Sequence, residues 1–342
     1  MNKNIGLLAT GAIGSSIGAD LTRAGYNVML IDQWPAHVEA MKAHGLHVSM
    51  LPEEEFRITV KAIHLCELAS LKPQFDIVFL TSKSYDTLWM VELIKPYLKL
   101  DGVLVSMQNS MNDEWIAPLI GRERDIGCAL ELSAEVFDPG LVQRDTDRAT
   151  TRFVIGDLDG KITPHVQEVA QLLSIVGNTE VSTNIWGAKW TKLVFNTMNS
   201  ALGSIGGIKS SEMIQNPKCV DFAIKMGKEA VQVGAALGYD LEPIMGMTAQ
   251  NFVGSTDEAL RRMLVKVNVD LGSRQHPAPL QDLLKGRRTE VPGYLNGLVV
   301  LKGREVNVPT PYNEVIASLV LQIEEGKLKM ERSNLEILDK YI

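Results

Sequence analysis

The chain has 342 residues, is 45% hydrophobic and 22% charged, and carries a net charge of −7, an ordinary soluble globular composition long enough for two cores. The acidic balance argues against a general nucleic-acid or anionic-membrane surface, and no apolar run approaches the ~20 residues that span a bilayer. Three cysteines (Cys66, Cys128 and Cys219) lie far apart and read as reduced core thiols, neither a disulfide framework nor a metal motif.

The amino terminus runs at once into a short apolar segment, 5–9, that reads as a buried strand. That start leaves no room for a signal peptide, and a cytoplasmic location is expected. The strand breaks at the small-residue turn ATGAIG, a helix with Ile17 and Leu21 on one side follows, and Gly25 stops it. Residues 27–32 form a second strand ending in an acid, Asp32. This is a βαβ unit with a dinucleotide-binding fingerprint, read AxGxxG because Ala9 holds the first glycine position. Alanine fits a tight turn provided its φ stays negative. Gly11 lets a pyrophosphate approach the backbone and Gly14 lets the helix pack on its strand. The amides of Ala12, Ile13 and Gly14 at the helix N-terminus then face the phosphates. The bland alternative is a glycine-rich turn in an ordinary α/β protein. A carboxylate at Asp32 accepts hydrogen bonds from a ribose diol and repels a 2′-phosphate, and Gln33 stands where an NADP-selective enzyme often carries arginine. NAD is therefore favoured over NADP, with Arg57 and Lys61 as the cations that could still reach a phosphate.

After Asp32, Pro35 starts a helix over 36–43 that Gly45 closes, and 46–64 hold short strands around an acidic turn at 53–55. Residues 76–80 (DIVFL) form a buried strand leading into Thr81-Ser82-Lys83. A helix with Leu88, Val91 and Leu98 on its apolar side comes next, then a buried strand over 102–107 ending at Gln108-Asn109-Ser110. Strands near 126–133 and 152–156, a helix over 164–176 and a strand over 178–183 complete the pattern. Such alternation belongs to a doubly wound sheet, whose ligands collect at the carboxyl ends of the strands, where Asp32, Lys83 and Asn109 fall. Near Asn184 helical periodicity takes over, with helices over 185–201, 219–237, 257–271, 290–303 and 311–326. The expected organisation is α/β: a Rossmann-type doubly wound domain over 1–183, then a mainly α-helical domain over 184–342 that binds substrate and mediates a homodimer. The last dozen residues read as a peripheral tail.

The helix from Ile185 contains WGAKWTKLVFNTMNS, in which Lys189, Lys192 and Asn196 share one face. Hydride arriving at a carbonyl carbon puts negative charge on oxygen, and an ammonium can stabilise that charge and donate its proton. The same spacing equally suits the solvated stripe of an amphipathic helix. Glu290, in GRRTEVPGYLNG, could serve a site or cap a helix start; Arg287 and Arg288 could bind a carboxylate or pair with surface acids. Asn296 and Gly297 inside a helix suggest close packing or a polar contact. His276 could act as an acid or sit exposed in its loop. No metal-ligand spacing or hydrolytic triad order is present.

These segments together resemble the ketopantoate reductase (2-dehydropantoate 2-reductase) family over nearly the whole chain. The resemblance rests on AxGxxG, TSKSYDT around Lys83, QNSMN around Asn109, DPGLVQ (138–143), KWTKLVFN (189–196), TEVPGYLNG (289–297) and VPTPYNEV (308–315). It implies a Rossmann domain, a helical domain and a cleft between them, with a small carbonyl or hydroxy-acid substrate. Lys192 then matches the lysine that donates a proton to the substrate carbonyl, Asn196 an asparagine of the substrate pocket, and Glu290 the acid that binds substrate and supports the lysine. Asn109 matches the asparagine near nicotinamide and substrate, and Lys83 a residue at the cofactor.

The departures are specific. The cofactor-discriminating arginine falls at Gln33, which supports NAD. Ser110 replaces a glycine. The second helix asparagine falls at Ser200, with Asn199 adjacent as a substitute substrate contact. In RQHPAPLQD, Gln275 and Ala278 occupy the substrate-reading stretch, and Ala278 stands where the family's serine holds ketopantoate. The catalytic frame is kept while the substrate-reading groups differ, which points from ketopantoate toward a related 2-oxo acid. A β-hydroxyacid dehydrogenase-like enzyme and a non-catalytic NAD(H)-binding sensor are the alternatives; Glu290 and VPTPYNEV favour the ketopantoate-reductase side.

Overall fold

The computed structural model describes residues 3–50, 54–72, 74–270 and 276–341, with side chains for all of these but 267–270. The chain divides into two compact units, Met1–Ile185 and Trp186–Ile342.

The first unit alternates strand and helix: β1 (Asn4–Leu8), α1 (Ala12–Arg23), β2 (Asn27–Asp32), α2 (Pro35–His44), β3 (Leu46–Met50), β4 (Glu54–Ile58), β5 (Lys61–His64), β6 (Phe75–Leu80), α3 (Thr87–Ile94), β7 (Leu98–Ser106), α4 (Asp113–Ile120), β8 (Asp125–Glu131), β9 (Ala134–Glu135), β10 (Leu141–Arg144), β11 (Arg152–Asp157), α5 (Pro164–Leu173) and β12 (Asn178–Val181). Eight strands form the main sheet in the order β12-β11-β8-β7-β6-β1-β2-β5. Its central strands are parallel and continuously apolar because both faces are covered. Leu7 joins a core with Ile17 and Leu21 of α1 and Val166 and Val169 of α5. The next residue, Leu8, points the other way, to Met90 and Val91 of α3 and Ile116 of α4. Strand order reverses between β1 and β6, and the register places Leu8 beside both Ile31 and Leu80, and Leu80 beside Ser106. The carboxyl ends of β2, β1, β6 and β7 thus lie in a row at the switch point, the edge where open α/β sheets hold ligands.

Local readings are corrected in several places. Leu88 is 56% exposed; α3 buries Val91 as expected, together with Met90 and Ile94, while Leu98 belongs to β7. Cys66 is exposed, unlike Cys128 and Cys219. A second sheet, ordered β4-β3-β10-β9, pairs β10 parallel to β3 and was not foreseen for β9 and β10. It is tied to α1 by Arg144, 1% exposed, whose guanidinium donates to Asp20 at 2.7 Å, Thr151 Oγ1 at 2.9 Å and the Val176 carbonyl at 2.8 Å.

The second unit is helical: α6 (Ile185–Asn199), α7 (Ala201–Gly206), α8 (Ser210–Met213), α9 (Pro217–Ala236), α10 (Ala249–Gly254), α11 (Asp257–Asp270), α12 (Ala278–Leu284), α13 (Val291–Tyr294), α14 (Asn296–Glu305) and α15 (Pro311–Glu324). α9 is its axis. The buried Glu229 on α9 accepts the Tyr312 and Asn313 amides at 3.0 Å each and so caps α15; burial pushes its carboxyl up. Residues 290–303 do not form one helix: Gly297 approaches Pro292 so closely that any Cβ would overlap its carbonyl, and the chain breaks at Leu295. Nor is the carboxyl-terminal segment peripheral. Leu338 is fully buried and Asn334 Nδ2 donates to the Ile205 carbonyl at 2.9 Å. Among the described residues no helix is long and apolar enough to cross a membrane.

Candidate functional site

The dinucleotide end of the first unit is built from its turns. Ala9 N–H donates to the Ile31 carbonyl at 2.8 Å and Gly11 N–H to the Ala9 carbonyl at 2.8 Å, which folds the chain sharply before α1. Ala9 has φ +64, a left-handed conformation, so the expectation of a negative φ there is wrong. Glycine suits this position because an L side chain there crowds its own backbone. A Cβ on Gly14 would come within 2.5 Å of Thr81 Oγ1, whose hydroxyl donates to the Ala9 carbonyl at 2.8 Å; the third fingerprint glycine is required by packing. Nothing lies within 4 Å of a Cβ built on Gly11, so its backbone is open to approach. No side chain caps α1 and no acid occupies its first turn, so the N-terminal amides of Ala12, Ile13 and Gly14 have neither a helical nor a capping acceptor. An anion fits this end.

Asp32 closes β2 and is 6% exposed; its Oδ1 accepts the Trp34 amide at 2.7 Å and its Oδ2 the Thr10 hydroxyl at 3.4 Å. Gln33 is exposed. The two cations considered for a 2′-phosphate lie elsewhere. Lys61 sits opposite Met29 at the start of β5 and donates to Asn27, at the amino end of β2, while Arg57 on β4 donates to the His44 carbonyl.

Lys83 is half-buried just beyond β6. The loop after β7 is held by side-chain amides. Gln108 Nε2 donates to the Ser82 carbonyl at 2.9 Å and Thr87 Oγ1 at 2.9 Å. The Asn109 carbonyl accepts from Asn112 Nδ2 at 2.8 Å and Ser84 Oγ at 3.2 Å. Ser110 has φ +78, the reason glycine would suit that position too. Gln108 Oε1, Ser110 Oγ and Asn112 Oδ1 are buried and make no hydrogen bond among the described residues. Backbone strain and unsatisfied polar atoms thus collect at the ligand edge of the sheet, as they do at functional sites.

In the second unit the candidate residues ride on α6. Trp190, Leu193, Val194 and Met198 are fully buried, and Trp190 Nε1 donates to the Ala230 carbonyl at 2.9 Å, which seats α6 on α9. Lys189 is only 2% and Asn196 8% exposed, with Lys192 half-buried between them. A solvated stripe would expose all three. Lys192 Nζ stands 5.3 Å from the centre of the Phe195 ring, a cation–π arrangement. Asn199, half-buried, donates to the Phe195 carbonyl at 3.0 Å.

Glu290 is 5% exposed and precedes α13, but its side chain does not cap that helix. Arg287 and Arg288 are exposed. Ala278 is exposed at the first position of α12, and Gln275 lies outside the described residues. Asn296 opens α14 rather than lying inside a helix; it is fully buried and donates to Asn313 Oδ1 at 2.9 Å. The polar contact suspected from its position is therefore the link from α14 to the start of α15. The amide network of Gln108 and Asn112, and His37 behind the dinucleotide turn, escaped the sequence reading. Their partners come from distant segments that no local pattern connects.

The profile of the family "Ketopantoate reductase PanE/ApbA" matches residues 5–160, and that of its C-terminal domain matches residues 184–324. A 2-dehydropantoate 2-reductase of Archaeoglobus fulgidus is 28% identical over 326 residues, covering 95% of this chain and 99% of that protein. The crystal structure of a PanE/ApbA family ketopantoate reductase from Ralstonia eutropha superposes with a TM-score of 0.78 at 27% identity, covering 94% of this chain and 99% of that one. The ternary structure of a D-mandelate dehydrogenase with NADH and anilino(oxo)acetate reaches 0.81 at 23% identity, with 94% and 99% coverage, and shares the fold.

Proposed function

The chain belongs to the ketopantoate reductase PanE/ApbA family of oxidoreductases acting on CH–OH groups, and on that premise we propose that it interconverts a 2-oxo acid and its 2-hydroxy acid with NAD(H), Lys192 exchanging the proton. The observation that carries this reading is that Lys189 and Asn196 are buried and Lys192 is half-buried on one face of α6. Burying ammonium and amide groups is costly, and a lysine kept beside a ring and an asparagine on one helix face is suited to act on a ligand.

Held at the turn before α1, NAD(H) would supply or accept the hydride at the carbonyl carbon. Lys192 gives its proton to the oxygen on which charge develops, so that C=O, hydride and proton together become CH–OH. Asn196, one turn further along, orients the substrate by hydrogen bonding. Glu290 holds the substrate and supports the lysine. Asn109 stands at nicotinamide and substrate, with its backbone fixed by Ser84 and Asn112. Asn199 and the 275–278 stretch read the rest of the substrate; Ala278 in place of serine favours a 2-oxo acid other than ketopantoate.

The amides of α1 hold the pyrophosphate, and Lys83 and Gln33 flank the cofactor. Asp32 selects NAD: its carboxylate repels a 2′-phosphate, and neither Arg57 nor Lys61 stands near it to compensate. In this reading residues 1–183 are the cofactor domain and 184–342 the substrate and homodimer domain of a cytoplasmic enzyme.

The test is a panel of 2-oxo and 2-hydroxy acids, followed by nicotinamide absorbance with NAD(H) and NADP(H), repeated with Lys192→Ala. Turnover should be fastest with NAD(H) and fall about 10²–10⁴-fold in the variant, the range for loss of a general acid. Near-normal turnover by Lys192→Ala would remove the mechanism.

A further inference from the structure

His37 lies behind the dinucleotide turn, fully buried, on the first turn of α2. The Gly140 amide donates to its Nδ1 at 2.9 Å. An amide N–H has only a proton to offer, so Nδ1 is the unprotonated nitrogen and the neutral ring carries its proton on Nε2. Nε2 is 3.1 Å from Ser15 Oγ, and the Ser15 hydroxyl in turn donates to the Thr10 carbonyl at 2.9 Å. The bonds therefore run in one direction: Gly140 amide to imidazole, imidazole to serine, serine to the Thr10 carbonyl. A second ring proton would confront the Gly140 N–H. Burial pushes the His37 pKa down to about 4, against a smaller opposing hydrogen bond to the Thr10 backbone, in keeping with a ring held neutral that reaches Thr10 directly as well as through Ser15.

One end of this relay and one face of its ring reach groups that define the turn. The Thr10 carbonyl and the Gly11 N–H belong to one planar peptide, so fixing the first fixes the direction of the second. That amide closes onto the Ala9 carbonyl, and Ala9 is the residue forced to φ +64. A strained turn persists only where its surroundings hold it. On its other side the His37 ring stacks on Trp34 at 5.5 Å between centres, and the Trp34 amide is the one bound by Asp32.

We propose that His37, acting through Ser15, is a positioning residue for the dinucleotide: it holds the Thr10–Gly11 peptide so that the first-turn amides of α1 stay open to the pyrophosphate. This rests on the reading that the turn binds NAD(H). Gly140 immediately precedes β10 of the second sheet, so the small sheet braces the cofactor turn through one imidazole.

The experiment titrates the full chain with NADH, and separately with NADPH, in four forms: unaltered, Ser15→Ala, His37→Leu and His37→Gln. Alanine is the best helix former, so Ser15→Ala preserves α1 even where His37→Leu disturbs packing. Ser15→Ala and His37→Leu should each weaken NADH binding about fivefold, the worth of one hydrogen bond. Glutamine offers a carbonyl to Gly140 and an amide N–H to Ser15, and should stay within about twofold of the unaltered protein. In turnover the KM for NADH should rise while kcat at saturating NADH is retained, a split that general loss of stability would not give. Unchanged affinity in Ser15→Ala, or a His37→Gln as weak as His37→Leu while the unaltered protein binds, overturns this proposal alone. Failure of the unaltered protein to bind either nucleotide overturns the dinucleotide reading and this proposal with it.

Discussion

Ala9 and Ser110 share a peculiarity that only the backbone reveals. Ala9 directly follows β1 and Ser110 lies in the loop after β7, with φ of +64 and +78, where glycine is the natural occupant. The glycine-to-alanine departure at Ala9 was legible, but its cost was not, because a motif does not state the sign of φ. A left-handed alanine costs roughly 1–2 kcal/mol, of which the greater freedom of unfolded glycine returns a part. Ala9→Gly should therefore raise the unfolding free energy by about 0.5–1 kcal/mol in urea denaturation. Ser110→Gly should do at least as well, since it also removes a buried hydroxyl without a partner. Loss of stability in both would mean that the turns are not strained as described. Asp32, Gln33, Lys83 and Asn109 could be proposed from the sequence because each ends or follows an apolar strand. His37 was not, since the group that fixes its tautomer lies 103 residues away.

At the scale of elements, α6 was the most informative helix and also the most ambiguous. Its period put Lys189, Lys192 and Asn196 on one face, but periodicity cannot distinguish a face turned to water from one covered by protein. Leu88 fails in the same way: its spacing fits an apolar face, and the structure exposes it. The second sheet was invisible because β9 and β10 are short, and the pairing of Leu141 with His47 is set by tertiary structure. What fixes α6 is Trp190 against α9. A Cβ on Gly234 would lie 2.2 Å from Trp190 Nε1, inside the indole, and would push it off the Ala230 carbonyl. Gly234→Ala should destabilise the protein by about 1–3 kcal/mol, the usual cost of overpacking, despite alanine's better helix propensity. An unaffected or raised midpoint in urea would show that this contact does not seat the helix.

For the molecule as a whole, alternation of strand and helix followed by helices alone was enough to read the architecture. Covalent order carries that pattern, whereas the polar bracing within each unit does not follow from it. The first unit offers a helix terminus without a side-chain cap and a buried carboxylate; the second offers a half-buried amine and a buried amide. The central claim is that the Lys192 amine gives its proton to a carbonyl reduced by NADH. Crystallographic determination of the protein with NADH and an unreactive 2-oxo acid analogue tests it most directly. The account predicts Lys192 Nζ within about 2.6–3.2 Å of the analogue's carbonyl oxygen, hydrogen-bond reach for a general acid. An amine turned to bulk water, with the analogue bound and its oxygen held by other groups, would contradict it.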